Sequence, residues 1–266
     1  PDRCFDVGIA EANMVGVAAG LAAYGYKPIV VTFAPFATRR VCDQIAVSVA
    51  YAKQNVKIVG TDPGITAELN GGTHMSFEDI ATLRSIPTMT IYDAVDDTQV
   101  YQAIKQIMNT DGPCYIRMPR KAAQPVYDEN YKFALNKADV ITKGNDITIV
   151  ASGIMVAESL KAVLKLKEEG ISAELISANT IKPLDEETIL NSIKKTNHVV
   201  TCENHNVIGG LYSAVSEMLI EKYPLHVDKI AVMDQFGQVG KYSELLNYYH
   251  LTSNDIYNVV KKNLNK

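Results

Sequence analysis

Glu11 is the one carboxylate between Ile9 and Tyr24, where every other residue except Asn13 and Tyr24 is Ala, Gly, Val, Leu, Ile or Met. A carboxylate kept from water is costly unless something answers it. Burial also favours its neutral form, so such a group can hold or share a proton near neutrality and serve in proton transfer. The alternative is a first-turn helix carboxylate favoured by the helix dipole, worth about 0.3–1 kcal/mol. Phe33 and Phe36 flank Pro35 shortly downstream; on pattern alone they read as core. His74, one of five histidines, ends the polar glycine-rich run Thr61–Thr73, TDPGITAELNGGT. Long loops of this kind between regular elements are often functional. Arg120, in Arg117-Met118-Pro119-Arg120, reads equally as an anion-binding guanidinium and as a surface arginine.

The elements that must position these groups alternate. Ile9–Tyr24 is apolar nearly all round, the pattern of a helix buried on every side. Gly16 and Gly20 share a face there and leave room for another backbone. Pro28–Phe33 reads as a buried strand, Ala37–Tyr51 as a second helix and Asn55–Gly60 as the next strand. After the loop, Ser76-Phe77-Glu78-Asp79 predicts a capped helix start with an acidic first turn. Thr88–Tyr92 (strand), Asp97–Met108 (helix) and Cys114–Met118 (strand) complete a first set. Such alternation predicts a mostly parallel sheet with helices on both faces and ligands beyond the carboxyl ends of the strands. The loops after Phe33, Gly60 and Met118 all leave such ends, so one edge can gather Phe36, His74 and Arg120. Residues 122–145 lack periodicity and read as a linker between a domain over 1–121 and a second α/β set over 146–266. In that set His205 with Gly209-Gly210 offers an anion-binding helix start, or a tight structural turn.

The chain has 266 residues, 47% of them hydrophobic and 21% charged, with a formal net charge of −4. Dispersed Lys and Arg give no nucleic-acid surface, and no apolar run reaches the roughly 18 residues of a membrane span. The widely spaced Cys4, Cys42, Cys114 and Cys202 form no C-x-x-C pair and read as buried thiols of a reducing, cytoplasmic compartment. Because the chain opens at Pro1, almost inside its key stretch, upstream sequence is expected to be missing.

FDVGIAEANMVGVAAGLAAYG followed by KPIVVTFAPF resembles the pyrimidine-binding domain of the transketolase family. IKPLDEETI, VVTCENHNVIGGL and the closing helices resemble its smaller C-terminal α/β domain, so the resemblance covers nearly the whole chain. It implies thiamine diphosphate as cofactor, with Glu11 on the N1′ nitrogen of the aminopyrimidine and Phe33 and Phe36 packed around that ring. It further implies that His74, in Gly71-Gly72-Thr73-His74, faces the reacting carbons, and that Arg120 binds the sugar phosphate. In the family the C-terminal domain carries no required catalytic residue and helps subunits associate.

Two positions depart from the family pattern. Asp62 replaces a His that helps hold the donor phosphate, and Asn70 replaces an Asp that reads the substrate's C2 hydroxyl. An Asp facing phosphate would repel it by about 1 kcal/mol in a wet site. The family's G-D-G and Asn-containing metal loop is absent from this sequence, as are Walker, H-E-x-x-H and G-x-S-x-G motifs. The resemblance therefore implies a split transketolase. An N-terminal subunit would hold Mg2+ and the diphosphate, no metal would bind this chain, and the assembly would be a self-associating heterotetramer. The expected reaction is ketol transfer between sugar phosphates. The alternatives are a deoxyxylulose-phosphate synthase-like or oxo-acid dehydrogenase beta-like subunit, or a non-catalytic scaffold.

Overall fold

A computed structural model describes residues 3–265. Pro1, Asp2 and Lys266, the outermost residues of the expected domains, lie outside that description. The first half runs α1 (Glu11–Ala23), β1 (Ile29–Phe33), α2 (Ala34–Ala37), α3 (Cys42–Gln44), β2 (Lys57–Thr61), α4 (Asp79–Arg84), β3 (Thr90–Asp93), α5 (Asp97–Asn109) and β4 (Cys114–Met118). The second half opens with β5 (Asp139–Thr142), β6 (Ile147–Ala151), α6 (Met155–Glu168), β7 (Ala173–Ser177) and β8 (Thr180–Lys182). It continues with α7 (Glu186–Thr196), β9 (Val199–Asn206), α8 (Leu211–Lys222), β10 (Asp228–Val232), α9 (Tyr242–Tyr248) and α10 (Ser253–Leu264).

Two five-stranded sheets result, ordered β1-β2-β4-β3-β8 and β10-β9-β6-β7-β5. All pairings are parallel except those of β8 and β5, which run antiparallel at one edge of each sheet. The chain thus forms two α/β domains, as expected. Central strands are buried along their length: Lys57–Gly60 in β2, Cys114–Arg117 in β4 and all of β6 and β7. That pattern belongs to parallel sheets covered on both faces. The two halves interlock. β8 completes the first sheet from within the second half, and one apolar core joins Val15, Ile58 and Tyr115 to Val150, Ile176 and Leu211. The 122–145 stretch contributes β5 to the second sheet.

Several local expectations are corrected. α1 buries only Val15, Ala18 and Ala19, not its whole circumference. An all-apolar helix names no preferred face, and β1 beside it is an edge strand with Ile29 and Val31 exposed. Among the described residues nothing comes within 4 Å of a Cβ placed at Gly16 or Gly20. The expected Ala37–Tyr51 helix is broken. Thr38 leaves helical geometry (φ −128°, ψ −86°) and its hydroxyl donates to the Ala34 carbonyl at 2.7 Å, four residues back; π-helical turns follow over Ile45–Tyr51. The long loop contains 3-10 turns over Gly64–Asn70. Glu78, the N-cap residue of α4, makes no side-chain cap, and the acidic first-turn residue, Asp79, is taken by Arg117 instead. Cys114 and Cys202 are buried, which pushes both thiols up to about 12, but Cys4 is exposed. It precedes α1, the first helix of the described residues, and stands outside both sheets.

Candidate active site

The register of the first sheet sets the geometry. Phe33 at the end of β1 pairs with Thr61 of β2, and Thr61 pairs with Met118 of β4. Three loops therefore leave side by side from one carboxyl edge. The first carries Phe36, the second Asp62 through His74, and the third Arg120.

The aromatic groups form a cradle. Phe33 and Phe36 meet edge-to-face with centroids 6.1 Å apart, and the His74 ring stands edge-on to both, at 5.4 and 5.1 Å. Offset and edge contacts of this kind fix ring planes. His74 Nδ1 shares a 2.9 Å hydrogen bond with the Thr73 hydroxyl, which orients the imidazole.

Each wall of the cradle carries a cation. The Arg40 guanidinium lies 3.8 Å from the Phe36 ring centre and donates to Glu11 Oε1 at 2.9 Å. The Arg120 guanidinium lies 4.5 Å from the Phe33 ring centre and bonds through Nε to Asp62, whose other oxygen accepts from the Arg120 backbone N–H at 2.8 Å. One unbroken series of contacts thus runs Glu11–Arg40–Phe36–His74–Phe33–Arg120–Asp62. The Glu11 side chain is 12% exposed, mostly screened from water, while that of Arg40 is 45% exposed.

The sequence-expected residues fare differently. Glu11, Phe33, Phe36, His74 and Arg120 come together. Asp62, 4% exposed and in left-handed backbone (φ 51°), sits behind Arg120. Asn70 stands apart on an exposed turn, its amide donating to the Ala67 carbonyl at 2.7 Å. Arg40 was not anticipated. The helix is broken at Thr38, between Phe36 and Arg40, so no helical spacing announces the contact; the turn over Arg39–Val41 brings Arg40 onto the Phe36 ring. Neighbouring Arg39 pairs with Glu78 at 2.6 Å at the rim. The His205 and Gly209-Gly210 start is a structural turn. Both oxygens of the chain's own Glu203 already accept from the Leu211 and Tyr212 N–H groups at 2.6 and 2.9 Å.

The transketolase pyrimidine-binding domain family matches residues 1–125, and the transketolase C-terminal domain family matches residues 136–256. The chain belongs to the transketolase family. It is 53% identical over 256 residues to the 6-deoxy-6-sulfo-D-fructose transketolase subunit SqwH of Clostridium sp. (strain MSTE9), covering 96% of this chain and 80% of that protein. A putative transketolase C-terminal section of Methanocaldococcus jannaschii is 41% identical over 269 residues, covering 100% of this chain and 84% of that protein. Among solved structures, one described as a split gene transketolase, inactive beta4 tetramer, matches with a TM-score of 0.91 at 40% identity, covering 100% of this chain and 85% of that one. The chain is a transketolase-family subunit by these relationships. Among the described residues no helix is long and apolar enough to cross a membrane.

Proposed function

We propose that this chain is the pyrimidine-domain subunit of a two-subunit, thiamine-diphosphate-dependent transketolase that moves a two-carbon ketol unit between sugar phosphates in the cytoplasm. The observation that carries the reading is the placement of Arg40. A flat, cationic N–H donor already lies against Phe36 and donates to Glu11. An aminopyrimidine is also a flat nitrogen donor, so the cradle's shape and polarity fit that ring. When bound, the cofactor supplies a stabilised carbanion and an electron sink. This chain's residues do the rest. Glu11 would share a proton with the ring nitrogen N1′ and so govern where that proton resides. Phe33 and Phe36 fix the ring plane. His74 presents a donor or acceptor at the mouth of the cradle, toward the reacting carbons. Arg120, immobilised by Asp62, offers its terminal N–H groups to an anionic substrate group.

Mg2+ and the diphosphate are assigned to a separate N-terminal subunit. Support comes from the split-gene neighbour and from the open apolar face around Ile9, Val17, Tyr24, Val47 and Tyr51. Exposed patches of this kind mark protein interfaces, and the bare Gly16 and Gly20 would admit a close partner backbone there. A self-associating heterotetramer accommodates both contacts.

The Asp62–Arg120 pair favours a second reading of the substrate. Asp62 offsets much of the local positive charge, so the subsite suits a singly charged anionic terminus better than a phosphate dianion. A sulfonate has that charge, and the 53% identical relative is named for a sulfosugar. Mixing the chain with its partner, thiamine diphosphate and Mg2+ tests both readings. Ketol transfer that falls by about 10²–10⁴-fold in Glu11→Gln is expected, and a higher kcat/KM for 6-sulfonate than 6-phosphate donors selects the second. Carbon dioxide release from pyruvate would instead indicate a decarboxylating synthase or dehydrogenase. A cofactor-bound complex without turnover would indicate a scaffold.

A further inference from the structure

The segment bearing Asp62, Asn70 and His74 belongs by sequence to the first domain, yet much of its scaffold is the second. Asn204, on β9, accepts at Oδ1 from the Ile65 N–H at 3.0 Å and donates from Nδ2 to the Pro63 carbonyl at 3.1 Å. It fits so closely under Gly64 (φ 56°) that a methyl group there would collide with the Asn204 amide. At the far end of the segment, a methyl on Gly72 would lie 2.5 Å from the Gly237 carbonyl, and one on Gly71 would lie 2.7 Å from Val239. Gly237 also abuts Met75, the residue after His74.

The supports are themselves anchored. The Asn204 carbonyl accepts from Arg117 at 2.6 Å, and the Tyr249 hydroxyl donates to the Phe236 carbonyl at 2.8 Å. The Tyr249 ring packs edge-on against Phe77, at 5.1 Å, and the Asn206 N–H donates to the Phe77 carbonyl at 2.8 Å. The segment closes on itself where the Gly64 N–H donates to the Ser76 carbonyl at 2.9 Å. Both ends of the segment are thus held by β9 and the 233–240 loop. Left-handed backbone at Asp62 and Glu68 (φ 51° and 49°) persists only where surroundings impose it.

We propose that the C-terminal domain is a template for the reacting edge: Asn204 and the Gly237–Val239 turn are positioning elements that hold residues 62–75 so that His74 faces the cradle. The proposal rests on the transketolase reading for its consequence in turnover, but not for its consequence in the mobility of the segment. It gives the second domain a part in the chemistry beyond subunit association.

Asn204→Ala and Gly237→Ala test it, with the milder Val239→Ala as a third variant in case either fails to fold. In the isolated chain, amide exchange across 62–75 should speed up by about tenfold or more, while α1 and β1 exchange as in the wild type. In the complex with the partner subunit, kcat should fall about 10- to 100-fold with thiamine diphosphate affinity unchanged within about twofold, since Glu11, Phe33 and Phe36 are carried by α1, β1 and α2 rather than by the 62–75 segment. In a His74→Ala background the same substitutions should cost little more, because they act through His74. Wild-type exchange rates in all folded variants would overturn the proposal, as would an equal loss of kcat with and without His74. If the wild-type complex transfers no ketol unit, the functional reading fails, and the exchange measurement alone decides the positioning role.

Discussion

Two arginine-centred clusters lie a few residues apart along β4 and its exit, and they are built for opposite ends. The Arg120 and Arg40 cluster is open. Its cations are about half exposed, stacked on aromatic faces, and tied to single carboxylates. The Arg117 cluster is sealed. Arg117 is 1% exposed, donates to Asp79 at 2.7 Å, to Asp93 at 3.2 Å and to the Asn204 carbonyl, and so joins the two domains. Ser152 from the second half adds a 2.8 Å bond to Asp93, and buried Glu203 and His205 lie alongside. Burial would raise Asp79, but Arg117, His205 and the Tyr115 hydroxyl hold it below the usual carboxylate range. Burial pushes Glu203 up to about 8 against the pull of its two backbone N–H bonds, and pushes His205 down to about 4. Strongly perturbed groups often mark catalytic sites. Here they mark a structural joint, and the candidate site is recognised by geometry instead.

That contrast can be broken most directly at Arg117. Arg117→Met strands Asp79 and Asp93 in the interior, and a loss of about 3–5 kcal/mol in urea unfolding is expected. A loss under about 1 kcal/mol would mean the joint is not structural. Glu11→Gln should do the reverse, lowering ketol transfer by about 10²–10⁴-fold while the melting temperature stays put. Next in size is a pH effect. Between pH 6.5 and 8 the folded chain retains a proton on Glu203 that the unfolded chain has released, so stability falls as pH rises through that window. His205 acts oppositely below 6.5, where the unfolded chain holds the extra proton. Chemical denaturation of Glu203→Gln should therefore lose the alkaline decline, worth about 2 kcal/mol at about 1.4 kcal/mol per unit. Smallest is Arg40→Ala, which removes an ion pair whose cation is about half exposed and should cost under about 1 kcal/mol of stability. A larger drop in the denaturation midpoint would place Arg40 with the joint rather than the cradle.

The alternation of elements, the parallel sheets and the strand Cys114–Met118 were legible because period and turn residues are local properties. So was the gathering of Phe36, His74 and Arg120 at one edge, since adjacent parallel strands must release their loops together. The break at Thr38 was not legible, because one hydroxyl turning back on a carbonyl outweighed a helical pattern. Nor was the part played by Arg40, whose meaning depends on which carboxylate it meets.

The order of residues by itself determined two α/β domains, the lone acid at the start of α1 and the aromatic pair beside it. These follow from periodicity and from residue type, which each stretch of chain carries within itself. Tertiary structure alone decided that Asp62 turns to Arg120, that α1 leaves one face bare, and that Asn204 and Gly237 reach across from β9 and a late turn to seat the His74 segment. The Asn204 and Gly237 contacts span more than a hundred residues of sequence, and only the packing of one domain against the other brings those partners together.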